Sequence, residues 1–212
     1  MIFDAYFFDF DGTIGETGPD IRGAWLSAIR KLGLPVGDFD AVFRVGPSIQ
    51  ETSRMLYPDM TPEERKILEN TYKSFYDEAD NYRALPYPGM MTALEQLHRA
   101  DRKIYIVTNK RIKPLAKLVQ LFGLTSLCHG IFAPDTVDPE NHWKKSPLLA
   151  LAVRISGISP GRCLMVGDTE IDITCGKECG INTCGVSWGY GDMALLKSSG
   201  PDFLISDPSQ LP

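Results

Sequence analysis

The sequence predicts an α/β protein: a mostly parallel sheet covered by helices on both faces, with a helical segment inserted after the first strand. Three observations lead to this prediction. A short aromatic strand comes first and ends in acidic residues, about seventy residues of helical pattern follow it, and helices then alternate with strands from about residue 86. Strands that alternate with helices are joined by crossovers, which favour parallel pairing and place helices on both faces.

The first strand, residues 5–8, is rich in aromatic residues and ends at an acidic turn. Asp9 and Asp11 come next, and Gly12 is a breaker that ends the strand. Period two places both carboxylates on one side of the backbone, at the end of a parallel strand where open α/β sheets bind ligands. Two carboxylates this close repel each other unless a shared proton or a hard divalent cation relieves them. A solvated turn is the alternative interpretation of this stretch taken alone.

The insert is predicted to be helical throughout. Helices are expected over residues 19–33, 47–56 and 61–79, on the spacing of their apolar residues. The third has the clearest start, because Thr61 and Glu64 form a capping box around a proline in the first turn. No strand is predicted in this part of the chain.

The alternating part of the chain supplies the rest of the sheet. Strands are predicted over residues 103–108, 130–133, 163–166, 181–186 and 203–205, with helices between them. We therefore expect an α/β core domain of residues 1–15 and 87–212 and a helical domain of residues 16–86, with proline-containing joints between the two.

Polar residues follow three of the predicted strands, and a lysine pair precedes a helix nearby. These residues are Asp9, Asp11, Thr108, Asn109, Lys110, Lys144, Lys145, Asp168 and Asp172. Each has an ordinary explanation on its own, as a strand-end turn, a helix cap or a solvated charge. Because parallel strands end at the same edge of a sheet, their coincidence predicts one chemical site at that edge.

Four stretches of the chain match a known set of motifs. They are Asp9-Phe10-Asp11-Gly12-Thr13, Ile106-Val107-Thr108-Asn109, the lysine, and Val166-Gly167-Asp168-Thr169-Glu170-Ile171-Asp172. In this set the chain resembles the haloacid dehalogenase-like superfamily of phosphohydrolases. The helical insert resembles the type of cap that the superfamily places between its first two motifs. The resemblance covers the whole chain and implies a Rossmann-like core with an inserted cap domain.

The resemblance also implies a role for each motif residue. Asp9 would be the nucleophile that forms an aspartyl-phosphate, and Asp11 the general acid that protonates the leaving alcohol and later the base that activates water. Thr108 would donate its hydroxyl to a phosphoryl oxygen, and backbone N–H groups near Gly12 and Asn109 would bind the substrate as further donors. An acid at Asp11 favours phosphoester chemistry, because dehalogenases and phosphonatases lack one there.

A magnesium ion and a lysine complete the implied site. Asp9, the backbone carbonyl of Asp11 and Asp168 would hold Mg²⁺, and Asp172 would help through a water or a hydrogen bond to a ligand. Similar members without a proline after the lysine place it twelve residues before a helix-ending glycine, which favours Lys145 over its neighbour Lys144.

Two further stretches resemble the phosphoglycolate phosphatase-like group of the superfamily. Arg44 begins a segment, residues 44–48, that resembles a cap segment facing the active site, where it would bind a substrate carboxylate. An ordinary surface charge is the alternative interpretation of this arginine. Residues 185–191 resemble a loop of the same group.

The composition and the net charge limit the kinds of partner that the protein is expected to bind. The net charge of −5 gives no electrostatic footprint for a nucleic acid polymer or a membrane surface, and no apolar stretch approaches the ~18 residues of a membrane span. Five cysteines without a recognisable secretory signal predict reduced thiols and a cytoplasmic location. Either a monomer or a homodimer is compatible with the sequence.

We therefore expect a Mg²⁺-dependent phosphatase that acts on a small, phosphoglycolate-like phosphorylated metabolite. Three alternatives stay open at this point. The same scaffold supports a phosphosugar mutase that resembles β-phosphoglucomutase, and it supports a pyrophosphatase or nucleotidase. A non-catalytic binding protein is the third, although such a protein has no need of the full set of motif residues.

Overall fold

The computed structural model describes residues 3–137 and 144–212. Its strands are β1 (Ala5–Phe8), β2 (Gly15–Glu16), β3 (Leu85–Pro86), β4 (Lys103–Val107), β5 (Gly130–Phe132), β6 (Cys163–Gly167), β7 (Asn182–Val186) and β8 (Phe203–Ile205). Its helices are α1 (Gly18–Lys31), α2 (Phe39–Val42), α3 (Ile49–Leu56), α4 (Pro62–Tyr76), α5 (Met90–Arg99), α6 (Ile112–Leu121), α7 (Pro134–Val137), α8 (Lys145–Ser156), α9 (Glu170–Glu178) and α10 (Met193–Ser198).

Six of these strands form one parallel sheet in the order β5-β4-β1-β6-β7-β8. The first strand lies in the middle, where Ala5 pairs with Lys103 on one side and with Cys163 on the other. The order of the strands along the chain reverses at β1, so the carboxyl ends of β1 and β6 border the crevice in which sheets of this topology bind ligands.

Alternate residues of β1 enter separate apolar cores on the two faces of the sheet. Tyr6 and Phe8 pack with buried residues of α5 and α6, whereas Ala5 and Phe7 pack with buried residues of α8 and α9. All four strand residues are buried, as expected of a central strand covered on both faces. The predicted α/β fold is confirmed.

The insert has an apolar core of its own, built mainly from α1 and α4. Trp25 stacks on Tyr72 with ring centroids 4.2 Å apart, and Leu68 is fully buried beside them. The capping box of Thr61 and Glu64 forms as the sequence predicts and starts α4. The three predicted helices are confirmed, and the short helix α2 is an addition to them.

The expectation that this part of the chain contains no strand is wrong at its two ends. Gly15 pairs with Pro86 and Glu16 with Leu85, so β2 and β3 form a two-stranded antiparallel sheet. Strands of two residues are too short for an alternating pattern to show in the sequence. The small sheet holds the two connections to the insert side by side.

Within the described ranges, the structure contains no helix that is both long enough and apolar enough to cross a bilayer.

Candidate active site

The site is built around Asp9, at the carboxyl end of the middle strand. The Asp9 backbone N–H donates to the Val166 carbonyl at 2.9 Å, which continues the pairing of β1 with β6 beyond Phe8. Phe8 and Phe10 on either side are fully buried. The backbone of Asp9 is therefore fixed by the sheet, and the residue is only 5% exposed.

Three buried carboxylates meet at this end of the sheet. Asp168 follows β6, and Asp172 lies in the first turn of α9, where its Oδ2 accepts hydrogen bonds from the backbone and the hydroxyl of Thr169. One oxygen each of Asp9, Asp168 and Asp172 lies within 4.8 Å of the others. A set of carboxylate oxygens suits a hard divalent cation such as Mg²⁺, so these residues fit the implied ion by the chemistry of their donors.

Lys145, the first residue of α8, inserts its ammonium into this cluster. Its Nζ lies 2.6 Å from Asp9 Oδ1 and 2.5 Å from Asp172 Oδ1, and the residue is 5% exposed. The neighbouring Lys144 is exposed. The structure thus brings Lys145, the lysine favoured by its spacing from Gly157, together with the aspartates.

Burial dominates the electrostatics of the cluster. It raises the pKa of Asp9 to about 6, an effect that the Lys145 ammonium opposes and the Asp172 and Asp11 carboxylates reinforce. Burial, followed by the charges of Asp172 and Asp9, raises the pKa of Asp168 to about 8. Burial lowers the pKa of Lys145, but the carboxylates of Asp172 and Asp9 outweigh it and raise that pKa above its ordinary value. One ammonium among three carboxylates leaves negative charge that a divalent cation would offset.

Asp168 is held by hydrogen bonds from two loops. Its Oδ2 accepts from the backbone N–H groups of Tyr190 at 2.7 Å and Gly191 at 3.2 Å, and its Oδ1 accepts from the Thr13 hydroxyl at 3.2 Å. These donors leave the carboxylate a single orientation at the mouth of the crevice.

The position of Gly12 needs a glycine because of its backbone conformation and its closeness to Asp168. Its N–H donates to the Gly15 carbonyl at 3.0 Å, so this group is engaged in the turn rather than free for a substrate. A Cβ atom at Gly12 would lie 2.3 Å from Asp168 Oδ2, and φ here is +85°. The glycine therefore allows the turn and Asp168 to approach each other.

The loop after β7 ties the site to the start of the cap, and the sequence alone did not predict its role. Trp188 Nε1 donates to the Thr13 carbonyl at 3.1 Å, and the Tyr190 hydroxyl accepts from the Gly18 N–H at 2.7 Å. A Cβ atom at Gly191 would lie 1.9 Å from the Asp168 carbonyl oxygen. The glycines of residues 185–191 are the only signal in the sequence for so close an approach.

The residues after β4 face both the core and the cap. Thr108 is 1% exposed, and its hydroxyl oxygen accepts the Lys110 N–H at 3.2 Å. Asn109 Nδ2 donates to the Gly46 carbonyl of the cap at 3.2 Å. Lys110, which the sequence groups with these strand-end residues without a role of its own, has its Nζ 2.7 Å from Asp11 Oδ1.

Arg44 lies in the wall of a small cavity between the cap and the core. The cavity encloses about 50 Å³ and is also lined by Asp11, Tyr76, Asn109 and Lys110. Arg44 itself is exposed, and its guanidinium donates to the neighbouring Phe43 carbonyl at 2.7 Å. Its binding of a substrate carboxylate stays a prediction.

A parallel sheet with buried carboxylates and a lysine at its switch point defines an α/β enzyme with an acidic centre. Residues 6–186 match the family described as haloacid dehalogenase-like hydrolase, and the chain belongs to that family. The resemblance seen in the sequence motifs is confirmed, and so is the expectation of a hydrolase.

Individual relatives cover nearly the whole chain. A phosphoglycolate phosphatase of Aquifex aeolicus is 31% identical over 206 residues, which cover 96% of this chain and 92% of that protein. One of Vibrio vulnificus is 28% identical over 214 residues, with the same coverage. Among solved structures, a putative haloacid dehalogenase-like hydrolase of Bacteroides fragilis is 20% identical with a TM-score of 0.89, covering 99% of this chain and 100% of that one. A predicted phosphoglycolate phosphatase of Haemophilus somnus is 24% identical with a TM-score of 0.84, covering 98% and 95%. The two structures bear on the fold alone.

Proposed function

We propose that the protein is a Mg²⁺-dependent phosphatase that hydrolyses a small phosphorylated metabolite of the phosphoglycolate type. One observation carries the proposal: Asp9, Asp168, Asp172 and Lys145 meet at the switch point of the sheet, with Asp11 two residues beyond Asp9. The names of the relatives, which are phosphoglycolate phosphatases, support the substrate class.

The cation would be held by Asp9, Asp168 and the backbone carbonyl of Asp11. Asp172 would assist through a water or a hydrogen bond to one of these ligands. When bound, Mg²⁺ offsets the negative charge of the phosphoryl group and of the surrounding carboxylates. Lys145 contributes a fixed positive charge at Asp9, and the contacts of Asp172 with Lys145 and Thr169 hold that ammonium in place.

The chemistry proceeds in two displacements at phosphorus. In the first, a carboxylate oxygen of Asp9 forms a bond to phosphorus while the bond from phosphorus to the substrate oxygen breaks, and Asp11 gives its proton to that leaving oxygen. In the second, Asp11 takes a proton from a water whose oxygen attacks the phosphorus of the aspartyl-phosphate. The bond to Asp9 then breaks, and inorganic phosphate leaves.

Donors around the phosphoryl group would lower the barrier to both steps. The Thr108 hydroxyl and the backbone N–H of Asn109 would bind its oxygens, as the sequence motifs imply. Thr108 is suited to this because it is buried at the end of β4, directly beside the strand that carries Asp9.

Two cavities next to the proposed active site support the proposal that the substrate is small and anionic. The cavity of about 50 Å³ behind Asp11 has room for only a few atoms, since a single water needs ~10–15 Å³ by such a measure. A wider groove of about 590 Å³ leads to Lys145, and among the lining residues that the structure describes the positive side chains outnumber the negative ones. The positive ones are Arg54, Lys73, Arg111, Lys144 and Lys145, against Glu51 and Glu170. The positive charge along this groove would attract a negatively charged phosphorylated metabolite.

Phosphate release from a panel of substrates tests the proposal. The panel contains 2-phosphoglycolate, hexose phosphates, nucleotides, pyrophosphate and p-nitrophenyl phosphate, each with Mg²⁺ and with a chelator. Turnover is expected with at least one small monoester, and it should vanish in the chelator and in Asp9→Asn, which removes the attacking charge but keeps the shape. The same rates from the wild type and Asp9→Asn would contradict the assignment of the nucleophile. Absence of turnover across the panel would contradict the phosphatase.

A further inference from the structure

Lys110 is a buried cation that the mechanism above does not use. Its side chain is 2% exposed, and its Nζ lies 2.7 Å from Asp11 Oδ1 and 2.7 Å from the hydroxyl of Tyr76. Lys110 follows the core strand β4, whereas Tyr76 is the last residue of the cap helix α4. The ammonium therefore bridges the proposed general acid and the cap.

The hydrogen bonds to Asp11 distinguish its two oxygens. Oδ1 accepts from Lys110 Nζ at 2.7 Å and from the Thr17 hydroxyl at 2.5 Å. Both side-chain hydrogen bonds to this carboxyl group within the described ranges fall on Oδ1. An oxygen that accepts two donors is a poor place for the acidic proton, so the proton that Asp11 transfers would sit on Oδ2. The two donors also fix the direction in which Oδ2 points.

The Tyr76 hydroxyl is itself positioned by the packing of the cap. Its ring stacks on Tyr72 with centroids 5.6 Å apart and meets Tyr82 edge to face at 5.4 Å. The Lys110 ammonium also lies 4.7 Å from the centroid of the Tyr76 ring. The second partner of Lys110 is therefore present only where the cap rests on the core.

We propose that Lys110 is a positioning residue that orients Asp11 for proton transfer, and that Tyr76 makes this orientation depend on the cap being in place. The inference rests on the proposed function, because it assigns Lys110 a task only if Asp11 is the acid. A buried ammonium is unfavourable unless it is fully paired, and an apolar residue would fill the same space without that cost. The charge of Lys110 is explained by its two partners, one at the reaction centre and one on the cap.

The dependence on the leaving group separates this role from a structural one. An alcohol leaves poorly and needs a proton from the general acid, whereas p-nitrophenolate leaves well without one. The ratio kcat/KM reports on the steps up to the aspartyl-phosphate and leaves out its later hydrolysis. A misoriented Asp11 should therefore lower kcat/KM for an alkyl phosphate much more than for p-nitrophenyl phosphate.

The first experiment compares Lys110→Met with wild type on p-nitrophenyl phosphate and on the alkyl phosphate that the panel shows to be turned over fastest. We expect kcat/KM for the alkyl phosphate to fall by about 100-fold and that for p-nitrophenyl phosphate by less than about 5-fold. Lys113→Met is the matched control, since Lys113 also pairs with a cap acid, Glu78, but is 49% exposed and does not contact Asp11. Equal losses on both substrates, or no loss, would overturn the inference.

A second variant keeps the test decisive if Lys110→Met does not fold, which thermal melting would show. Tyr76→Phe keeps the aromatic stack and removes only the oxygen that Lys110 contacts, and it should lower kcat/KM for the alkyl phosphate about 3- to 10-fold. Tyr57→Phe, which removes a cap hydroxyl that donates to the Pro35 carbonyl, should leave it unchanged. Unchanged kcat/KM in Tyr76→Phe would overturn the link between the cap and Asp11.

Asp11→Asn separates a failure of the inference from a failure of the proposed function. If this variant keeps wild-type kcat/KM on the alkyl phosphate, Asp11 is not the acid and the proposed function fails at that residue. If Asp11→Asn loses activity on the alkyl phosphate while Lys110→Met and Tyr76→Phe do not, the proposed function stands and the positioning role of Lys110 is wrong.

Discussion

The core and the cap contribute to the site in opposite ways. The core presents charged groups that are buried and held by a rigid sheet, such as Asp9, Asp172 and Lys145, each no more than 5% exposed. The cap presents residues on loops and helix ends, such as Tyr76 and the exposed Arg44. Burial fixes positions to a fraction of an ångström, whereas loop residues tolerate change. We infer that the core supplies the reacting groups, and that the cap selects the molecule that reaches them and supports the orientation of Asp11 through Tyr76.

Ion pairs cross the joint between the two regions, although each region has an apolar core of its own. Arg111 of the core pairs with Asp77, the residue that follows α4, at 2.6 Å, and Lys113 pairs with Glu78. Lys117 Nζ donates to the backbone carbonyls of Asp77 and Ala79, at the negative end of α4. Charged and polar contacts with the core therefore cluster at the end of α4.

Lys145→Met removes the positive charge of the buried cluster in the core. We expect it to have the largest effect of the variants on stability and activity. The variant leaves Asp9 and Asp172 buried without their ammonium, so we expect the free energy of unfolding to fall by about 3–5 kcal/mol and activity to disappear. Urea denaturation measures the loss. Lys144→Met, at the exposed neighbour, should change the free energy of unfolding by less than about 0.5 kcal/mol. A similar small change in both variants would contradict the burial of the charge cluster as the source of its importance.

A change of pH should affect the core next most strongly, and Mg²⁺ should suppress the effect. The buried carboxyls of Asp9 and Asp168 have pKa values of about 6 and about 8, above that of an unfolded aspartate. Between about pH 4 and pH 8 the folded protein therefore binds protons that the unfolded chain releases, and its stability falls as the pH rises. A bound cation takes the place of these protons, so at 100 times its Kd it should add about 2.7 kcal/mol, with the larger effect at the alkaline end.

Thermal melts in chelator and in Mg²⁺ across this pH range measure both effects. The contribution of Asp168 can be isolated with Asp168→Asn, which should flatten the pH dependence in chelator. A stabilisation by Mg²⁺ that is as large at pH 5 as at pH 8 would count against proton competition at these carboxyls.

The smallest effect is expected at the joint, where a less firmly docked cap should weaken substrate binding more than it slows the reaction of substrate already bound. Asp77→Asn removes a buried charge that pairs with Arg111, so the cap should dock less firmly, with KM about tenfold higher and kcat within about twofold. Glu78→Gln removes an exposed partner of Lys113 and should leave both constants unchanged. Steady-state kinetics on the preferred substrate measure both constants. A fall in kcat at unchanged KM in Asp77→Asn would contradict a role of the joint in substrate binding.

The sequence was sufficient for the core because its elements are local patterns that meet by a general rule. Asp9 and Asp168 each follow an apolar strand, and parallel strands end at one edge, so their meeting could be predicted before any coordinates. Lys145 was favoured over Lys144 by spacing, and the structure shows why: as the first residue of α8, it points into the cluster.

The contacts of Lys110 could not be predicted in this way. The residue stands directly after Thr108 and Asn109, but its partner Tyr76 is 34 residues earlier and in the other domain. Such a pair depends on how the cap docks, which has no local signature. The contacts of Gly12 and Gly191 could not be predicted either. Both glycines lie close to Asp168, but a glycine in a loop does not identify the residue that it will approach.

The middle position of β1 has a consequence for how the protein folds while it is synthesised on the ribosome. Its neighbours β4 and β6 are made about 100 and 160 residues later, a delay of roughly 5–20 s for the first at 5–20 residues per second. Until then, the aromatic strand has unpaired N–H and C=O groups along both edges, a state prone to association with other chains. The cap helices emerge in this interval and can fold first, on their own apolar core. The strand that precedes Asp9 therefore waits for both of its partners until after the cap has been made.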